Sequence, residues 1–137
     1  MRLVSPILRV LLVDDDPAVL RSMRRALRTK RPDWQVVIQD SPAAALAFLA
    51  REPVDAVVSD FEMPVMTGVA LFRRMKRVHP SVLRVIVSGK TAEAAGVIPS
   101  GLVDAWLPKS SAASSLATVL EELLLRRDQG KRNPRVG

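Results

Sequence analysis

The chain has 137 residues, the length of a single domain, and 48% of them are apolar, which is enough to bury a core. It contains no cysteine and one histidine, which excludes disulfide scaffolds, zinc–thiolate sites and thiol nucleophiles. The formal net charge of +7 makes the protein strongly basic.

Short apolar runs along the chain predict five strands. The first, from Ile7 to Val13, is continuous enough for a strand buried on both faces. The predicted strands are 7–13, 34–39, 55–59, 83–88 and 103–107.

Apolar residues at helical spacing separate these runs and predict helices over 17–28, 42–50, 68–78 and 111–127. Asp16-Pro17 and Ser41-Pro42 each place a capping side chain before a proline suited to the first turn. Glycines and a proline between Thr91 and Leu102 predict a short or irregular helix there. Such alternation indicates a parallel sheet with helices on both faces.

Residues 1–127 are predicted to form the domain, and 128–137 a basic, flexible tail. The longest apolar stretch, Leu3 to Val13, is shorter than the roughly 20 residues of a spanning helix. It ends on aspartates where a signal peptide would have small residues. We therefore expect a soluble, cytoplasmic protein that does not bind membranes.

Acidic residues follow two of the predicted strands. Asp14-Asp15-Asp16 comes directly after the first strand, and Asp60 and Glu62 come after the third. Because parallel strands end at one common edge of a sheet, we expect Asp14, Asp15 and Asp60 to lie close together. Asp16 is assigned to helix capping. Carboxylates so close repel one another unless a hard cation such as Mg²⁺ neutralises them.

Two further strand ends contribute Ser88 and Lys109. A hydroxyl, an ammonium group and a metal around one carboxylate suit the handling of a phosphoryl group, because each neutralises or fixes a phosphoryl oxygen. The carboxylate can then act as the nucleophile and form an aspartyl phosphate.

These stretches resemble the receiver domain of the two-component response-regulator family. They are Leu11-Leu12-Val13-Asp14-Asp15-Asp16-Pro17, Ala56-Val57-Val58-Ser59-Asp60-Phe61-Glu62-Met63-Pro64 with Gly68, Val85-Ile86-Val87-Ser88-Gly89, and Lys109. The resemblance covers residues 7–127. It implies an α/β fold, a doubly wound, flavodoxin-like three-layer sandwich whose five-stranded parallel sheet has the order 2-1-3-4-5.

The resemblance also implies residue roles. Asp60 matches the phosphoacceptor, and Mg²⁺ is bound by Asp15 and Asp60 directly, by Asp14 through water and by the main-chain carbonyl of Glu62. Ser88 matches the switch hydroxyl, Lys109 the phosphate-binding lysine, and Trp106 stands where the family usually has a switch Tyr or Phe. The order Pro108-Lys109 departs from the family, in which the proline follows the lysine.

We therefore expect a phosphorylation switch without an output domain, not an enzyme acting on a separate substrate. Its partners would be a histidine kinase or phosphotransfer protein and a downstream protein target. One alternative is a receiver-like adaptor, or basic nucleic-acid binder, that is never phosphorylated. Another is a small phosphatase of the haloacid-dehalogenase type, with Asp14-x-Asp16 as its first motif.

Arginines crowd two of the predicted helices. Arg21, Arg24, Arg25 and Arg28 lie at helical spacing, and Arg73, Arg74 and Arg77 follow in the third helix. They form either solvated helix faces or a surface for an acidic partner, such as a docking edge for the kinase, or for nonspecific contact with nucleic-acid phosphates. Aromatic residues make up 4% of the chain and none lies within these runs, so base stacking and nucleic-acid binding are not expected.

Overall fold

A computed structural model describes residues 8–132 as five parallel strands in the order β2-β1-β3-β4-β5, with four α-helices. The strands are β1 (Arg9–Val13), β2 (Gln35–Gln39), β3 (Ala56–Asp60), β4 (Leu83–Ser88) and β5 (Ala105–Pro108). The helices are α1 (Pro17–Lys30), α2 (Pro42–Arg51), α3 (Gly68–Val78) and α4 (Ala112–Arg132), with a short 3₁₀ helix over Lys109–Ser111. The predicted fold class and strand order are confirmed.

The sheet divides the core into two layers because side chains alternate along each strand. On β1, Val10 and Leu12 pack beneath α1 and α4, whereas Leu11 and Val13 pack beneath α2 and α3. All four are fully buried. The continuous apolar run read from the sequence is therefore a strand covered on both faces, as expected for a parallel sheet.

The predicted caps are present. Asp16 Oδ1 accepts from the Ala18 amide at 2.9 Å, and Ser41 Oγ accepts from the Ala44 amide at 3.1 Å. Each side chain satisfies an amide that the first helical turn leaves unpaired. Thr67 caps α3 in the same way, with its hydroxyl oxygen 3.1 Å from the Ala70 amide.

The connection between β4 and β5 contains no helix in the described chain, in line with its irregular sequence. Gly96 and Gly101 adopt positive φ angles of 99° and 78°. The buried guanidinium of Arg84, on β4, donates to the carbonyl oxygens of Leu102 and Val82, both at 2.7 Å. Longer bonds of 3.3 Å reach the carbonyls of Pro80 and Gly101. Arg84 thus fixes the far end of this connection to the sheet.

The last helix is longer than predicted. It continues to Arg132, so residues 128–132 are helical and do not form the flexible tail expected from Asp128 onwards. Arg126 and Arg127 are good helix formers, and Gly130 alone costs only about 1 kcal/mol. The rest of the predicted tail, 133–137, and Ile7 at the predicted start of β1 lie outside the described residues. Within 8–132, no helix is long and apolar enough to cross a membrane.

Candidate functional site

Three carboxylates meet at the carboxyl edge of the sheet. Asp14 directly follows β1 and Asp60 ends β3, and these two strands pair in register up to Val13 and Ser59. One carboxylate oxygen from each of Asp14, Asp15 and Asp60 lies within 4.8 Å of the others. The structure therefore brings together the three aspartates that the sequence predicts to lie close to one another. Asp14 and Asp60 are buried, and Asp15 is exposed.

Lys109 reaches this cluster from the end of β5, the edge strand on the far side of β4. Its Nζ lies 3.5 Å from Asp14 Oδ2 and 3.5 Å from Asp60 Oδ1. Lys109 follows Pro108 at the end of β5 and begins the short 3₁₀ helix. The reversed order of proline and lysine therefore leaves the ammonium group within reach of both buried carboxylates.

Burial dominates the electrostatics of the cluster. It raises the pKa of Asp60 above its usual value, a shift that Lys109 opposes and Asp15 reinforces. Burial likewise raises the pKa of Asp14, and the charge of Asp60 adds to the shift. For Lys109, burial lowers the pKa, but Asp14 and Asp60 together outweigh it and leave the pKa above its usual value. The positive charge of Lys109 therefore compensates only part of the negative charge of the three carboxylates.

The donor set fits a hard divalent cation. Asp14 Oδ1 accepts from the Asp16 amide at 2.9 Å, whereas Asp14 Oδ2 is buried, makes no hydrogen bond and lies 3.5 Å from Lys109 Nζ. Because Lys109 is shared with Asp60, this buried oxygen is only partly compensated for the water that it has lost. Several carboxylate oxygens with one side open to solvent are the ligands that Mg²⁺ prefers.

Ser88 ends β4 beside the cluster. It is buried, and the β3–β4 register pairs its neighbour Val87 with Asp60. Ser88 Oγ accepts from the Lys90 amide at 2.9 Å and makes no other hydrogen bond within residues 8–132. Its hydroxyl proton therefore remains available to an oxygen bound at the site.

Lys90 connects Ser88 to two further residues of the site. Its carbonyl oxygen accepts from Trp106 Nε1 at 2.8 Å, and its ammonium group pairs with the Glu62 carboxylate at 2.8 Å. Glu62 and Lys90 are both exposed, so the Glu62 side chain lies outside the buried cluster. The resemblance implies that Glu62 binds Mg²⁺ through its main-chain carbonyl. The ion pair with Lys90 uses the side chain and does not involve that carbonyl.

Sequence reasoning missed the aromatic pair beside Asp60. The rings of Phe61 and Trp106 lie 5.4 Å apart, tilted by 47°. Phe61 directly follows Asp60, which is the one signal in the sequence that places it near the site. The half-buried Trp106 indole is therefore held by its ring contact with Phe61 and by the hydrogen bond that its nitrogen donates to the Lys90 carbonyl.

Residues 10–121 match the family model of the response regulator receiver domain. This chain belongs to that family. The receiver is 35% identical over 122 residues to the sensor kinase CckA of Brucella abortus (strain 2308), a match that covers 87% of this chain and 13% of that protein. It is 33% identical over 117 residues to the transcriptional regulatory protein GlrR of Escherichia coli (strain K12), covering 84% of this chain and 26% of GlrR.

Solved structures share the fold of the receiver. A CheY-like response regulator receiver domain protein from Methanospirillum hungatei JF-1 superposes with a TM-score of 0.81 at 24% identity, covering 90% of this chain and 98% of that one. The receiver spans only 13% and 26% of the two curated relatives above. Because these relatives are much longer than the receiver, the expectation that it acts without an output domain remains a prediction.

Family membership supports the receiver interpretation over the phosphatase interpretation. The position of Asp16 agrees with this, because its carboxylate is exposed and caps α1. It is not one of the acids gathered with Asp14, Asp15 and Asp60. The Asp14-x-Asp16 pair therefore lacks the shared site that a two-aspartate phosphatase mechanism needs.

Proposed function

We propose that this receiver is a phosphorylation-dependent signalling switch and that Asp60 accepts the phosphoryl group from a histidine kinase or a phosphotransfer protein. The observation that carries the proposal is the placement of Lys109 Nζ 3.5 Å from Asp60 within a group of three carboxylates at the sheet edge. The receiver would bring about only its own phosphorylation and dephosphorylation, without turning over a separate substrate.

In the proposed reaction an Asp60 carboxylate oxygen attacks the phosphorus of a phosphohistidine. The new P–O bond forms as the P–N bond breaks, and the departing imidazole keeps the electron pair of that bond and takes up a proton. Lys109 holds its positive charge beside the incoming phosphoryl oxygens, which stabilises the charge that develops on them. The free proton of Ser88 is donated to one of those oxygens.

Asp14, Asp15, Asp60 and the main-chain carbonyl of Glu62 are proposed to hold a Mg²⁺ ion. When bound, Mg²⁺ neutralises carboxylate and phosphoryl oxygens that would otherwise repel one another. Two observations support this assignment: Asp14 Oδ2 is buried without a hydrogen bond, and the pKa values of Asp14 and Asp60 stay raised despite the nearby Lys109.

A groove beside the site suits the phosphodonor. It has a volume of about 270 Å³, lies between α1 and α4, and includes Lys109. Small or apolar side chains line most of it: Ala18, Val19, Ser22, Met23, Ala112 and Ala113. A helix of the donor protein seated there would bring its phosphohistidine toward Asp60, and apolar contacts would form the centre of that interface.

Ser88 and Trp106 are the proposed switch residues. Both are linked to the backbone of Lys90, Ser88 through its hydroxyl oxygen and Trp106 through its indole nitrogen. If Ser88 turns toward a phosphoryl group on Asp60, it gives up its bond to the Lys90 amide, and the backbone that holds Trp106 becomes free to move.

Intact-mass measurement after incubation with acetyl phosphate and Mg²⁺ tests the proposal. Wild type is expected to gain one phosphoryl mass, and Asp60→Asn none, because the amide keeps the shape but removes the nucleophile. Asp40→Asn is the matched control: Asp40 follows β2 at the same edge of the sheet, is exposed, and lies outside the carboxylate cluster. Phosphorylation of Asp60→Asn, or its loss in Asp40→Asn, would overturn the assignment.

A further inference from the structure

An arginine ridge runs along α1, made of Arg21, Arg24, Arg25 and Arg28. Residues three and four apart are neighbours on a helix, so the four side chains share one face. With Thr29 they line a shallow groove of about 360 Å³. The ridge is about 10.5 Å long, measured along the helix axis from Arg21 to Arg28.

The positive charges of the arginine ridge have no acidic partner within residues 8–132. None of its four side chains forms an ion pair or hydrogen bond there, whereas Arg31, just beyond α1, pairs with Asp33 at 3.0 Å and Glu121 at 2.6 Å. Four neighbouring like charges repel one another and destabilise the helix that carries them. An anion bound along the ridge would remove that cost.

The arginine ridge borders the groove proposed for the phosphodonor but is centred on a different side of α1. Successive residues of a helix are rotated by about 100°. Of the residues that line the donor groove, Ala18 and Ser22 lie about 70° and 110° from the centre of the ridge, and Val19 lies about 170° from it. A partner helix centred on the ridge therefore contacts the side of α1 that faces away from Val19.

We propose that the arginine ridge binds an acidic helix of a partner protein. The guanidinium group of an arginine binds a carboxylate through two parallel hydrogen bonds. A helix with Asp or Glu at positions i, i+3, i+4 and i+7 repeats the spacing and the length of the ridge, so each arginine meets one carboxylate. This inference does not depend on phosphorylation of Asp60.

The surroundings of the ridge favour an acidic protein over nucleic acid. Four phosphate contacts give a weak complex, with a salt dependence of only about −3.6 in log–log slope. A long polyanion lying along α1 would also meet the exposed carboxylates of Asp15 and Asp16 at its start. The second arginine group, Arg73, Arg74 and Arg77, lies on α3 in the opposite layer and cannot extend the same footprint.

Fluorescence anisotropy with a labelled helical peptide tests the proposal. The probe carries Glu at four positions spaced i, i+3, i+4 and i+7, and its comparison peptide carries Gln there. We expect the Glu peptide to bind and the Gln peptide not to bind. Doubling the salt should weaken the complex, because three of the four arginines are exposed and the fourth, Arg24, is half-buried.

Two double variants locate the binding surface. Arg21→Glu with Arg25→Glu should weaken peptide binding by about tenfold or more, because two attractive pairs become repulsive. Arg73→Glu with Arg77→Glu changes the same residue type, spacing and charge in the opposite layer, and should shift the dissociation constant by less than about twofold. Both variants should still be phosphorylated by acetyl phosphate, which keeps this test independent of the function proposed for Asp60.

Two outcomes would overturn the proposal. The first is equal weakening by both double variants, which would mean that overall charge and not the ridge attracts the peptide. The second is tighter binding of a duplex DNA of similar length than of the Glu peptide at the same salt concentration, which would make the ridge a phosphate-binding surface.

Discussion

Gly68 lies against the main chain of Asp60 so closely that no side chain fits between them. A Cβ placed on Gly68 would lie 2.5 Å from the Asp60 carbonyl oxygen and 2.7 Å from Ile86 Cδ1. The Gly68 amide also donates to the Phe61 carbonyl at 2.8 Å. The start of α3 is therefore seated on the end of β3, and this contact fixes the backbone that presents Asp60.

Gly68→Ala should lower the free energy of unfolding by about 1–3 kcal/mol, because the added methyl must displace main chain. It should also slow phosphorylation by acetyl phosphate, since Asp60 shifts with its backbone. Urea unfolding and intact-mass time courses measure the two effects. Gly89→Ala is the control, because a Cβ there meets nothing within 4 Å. Equal losses in both variants would contradict the close contact.

Asp60→Asn should stabilise the metal-free protein by about 1 kcal/mol, because it removes one of three clustered charges from a site whose burial raises the pKa of Asp60. Mg²⁺ should raise the melting temperature of wild type by binding the folded state, and should raise that of the variant much less. Thermal unfolding with and without Mg²⁺ checks both. A metal-free variant clearly less stable than wild type would argue against charge repulsion in the cluster.

Asp14 and Asp60 should each contribute a gain in the stability of the metal-free protein as the pH falls from neutral toward 3.8, the usual pKa of an aspartate, whereas Asp33, whose pKa is lowered by Arg31, contributes in the opposite direction. The pKa values of Asp14 and Asp60 are raised in the folded state, so in this window these two groups bind more protons in the folded protein than in the unfolded chain. Stability is correspondingly lost as the pH rises through the raised values. Urea unfolding across this range should show a smaller slope for Asp60→Asn than for wild type, and equal slopes would refute the assignment.

Trp106 should report the state of the site by its fluorescence. Adding beryllofluoride with Mg²⁺, as a phosphoryl mimic, should change the emission because the Lys90 carbonyl that holds the indole moves with Ser88. The change should persist in Trp34→Phe, since Trp34 is buried beside β2 at the other edge of the sheet, and should disappear in Trp106→Phe. A signal that follows Trp34 would assign the switch to another part of the fold.

Val65 should be a favourable position for substitution. It has a φ of 78° in the loop between β3 and α3, a conformation costly for a β-branched residue, and its side chain is fully exposed. Val65→Asn should therefore raise the free energy of unfolding by about 1 kcal/mol. Val97→Asn is the control, since Val97 is also exposed but has no positive φ. No gain over that control would mean that the loop is unstrained.

Local patterns predicted the elements and the acid cluster because they depend on neighbours in sequence. Asp16 and Ser41 cap helices through amides two and three residues away, and Asp14 and Asp60 meet because parallel strands end at one edge. The burial of Arg84 had no such signal, since two of its four carbonyl partners lie 17 and 18 residues away in an irregular segment. The sequence also gave no sign of the positive φ of Val65, because valine, as a β-branched residue, favours negative φ angles.

Arg84 holds one end of the segment that follows the proposed switch. The connection between β4 and β5 starts at the proposed switch, where Lys90 bonds both Ser88 and Trp106, and its far end is anchored where Arg84 bonds Leu102 and Gly101. If the proposed switch moves Lys90, we expect the shape of this loop, whose Val97 is 96% exposed, to change. No helix lies between Lys90 and Leu102 that could carry the displacement as a rigid shift.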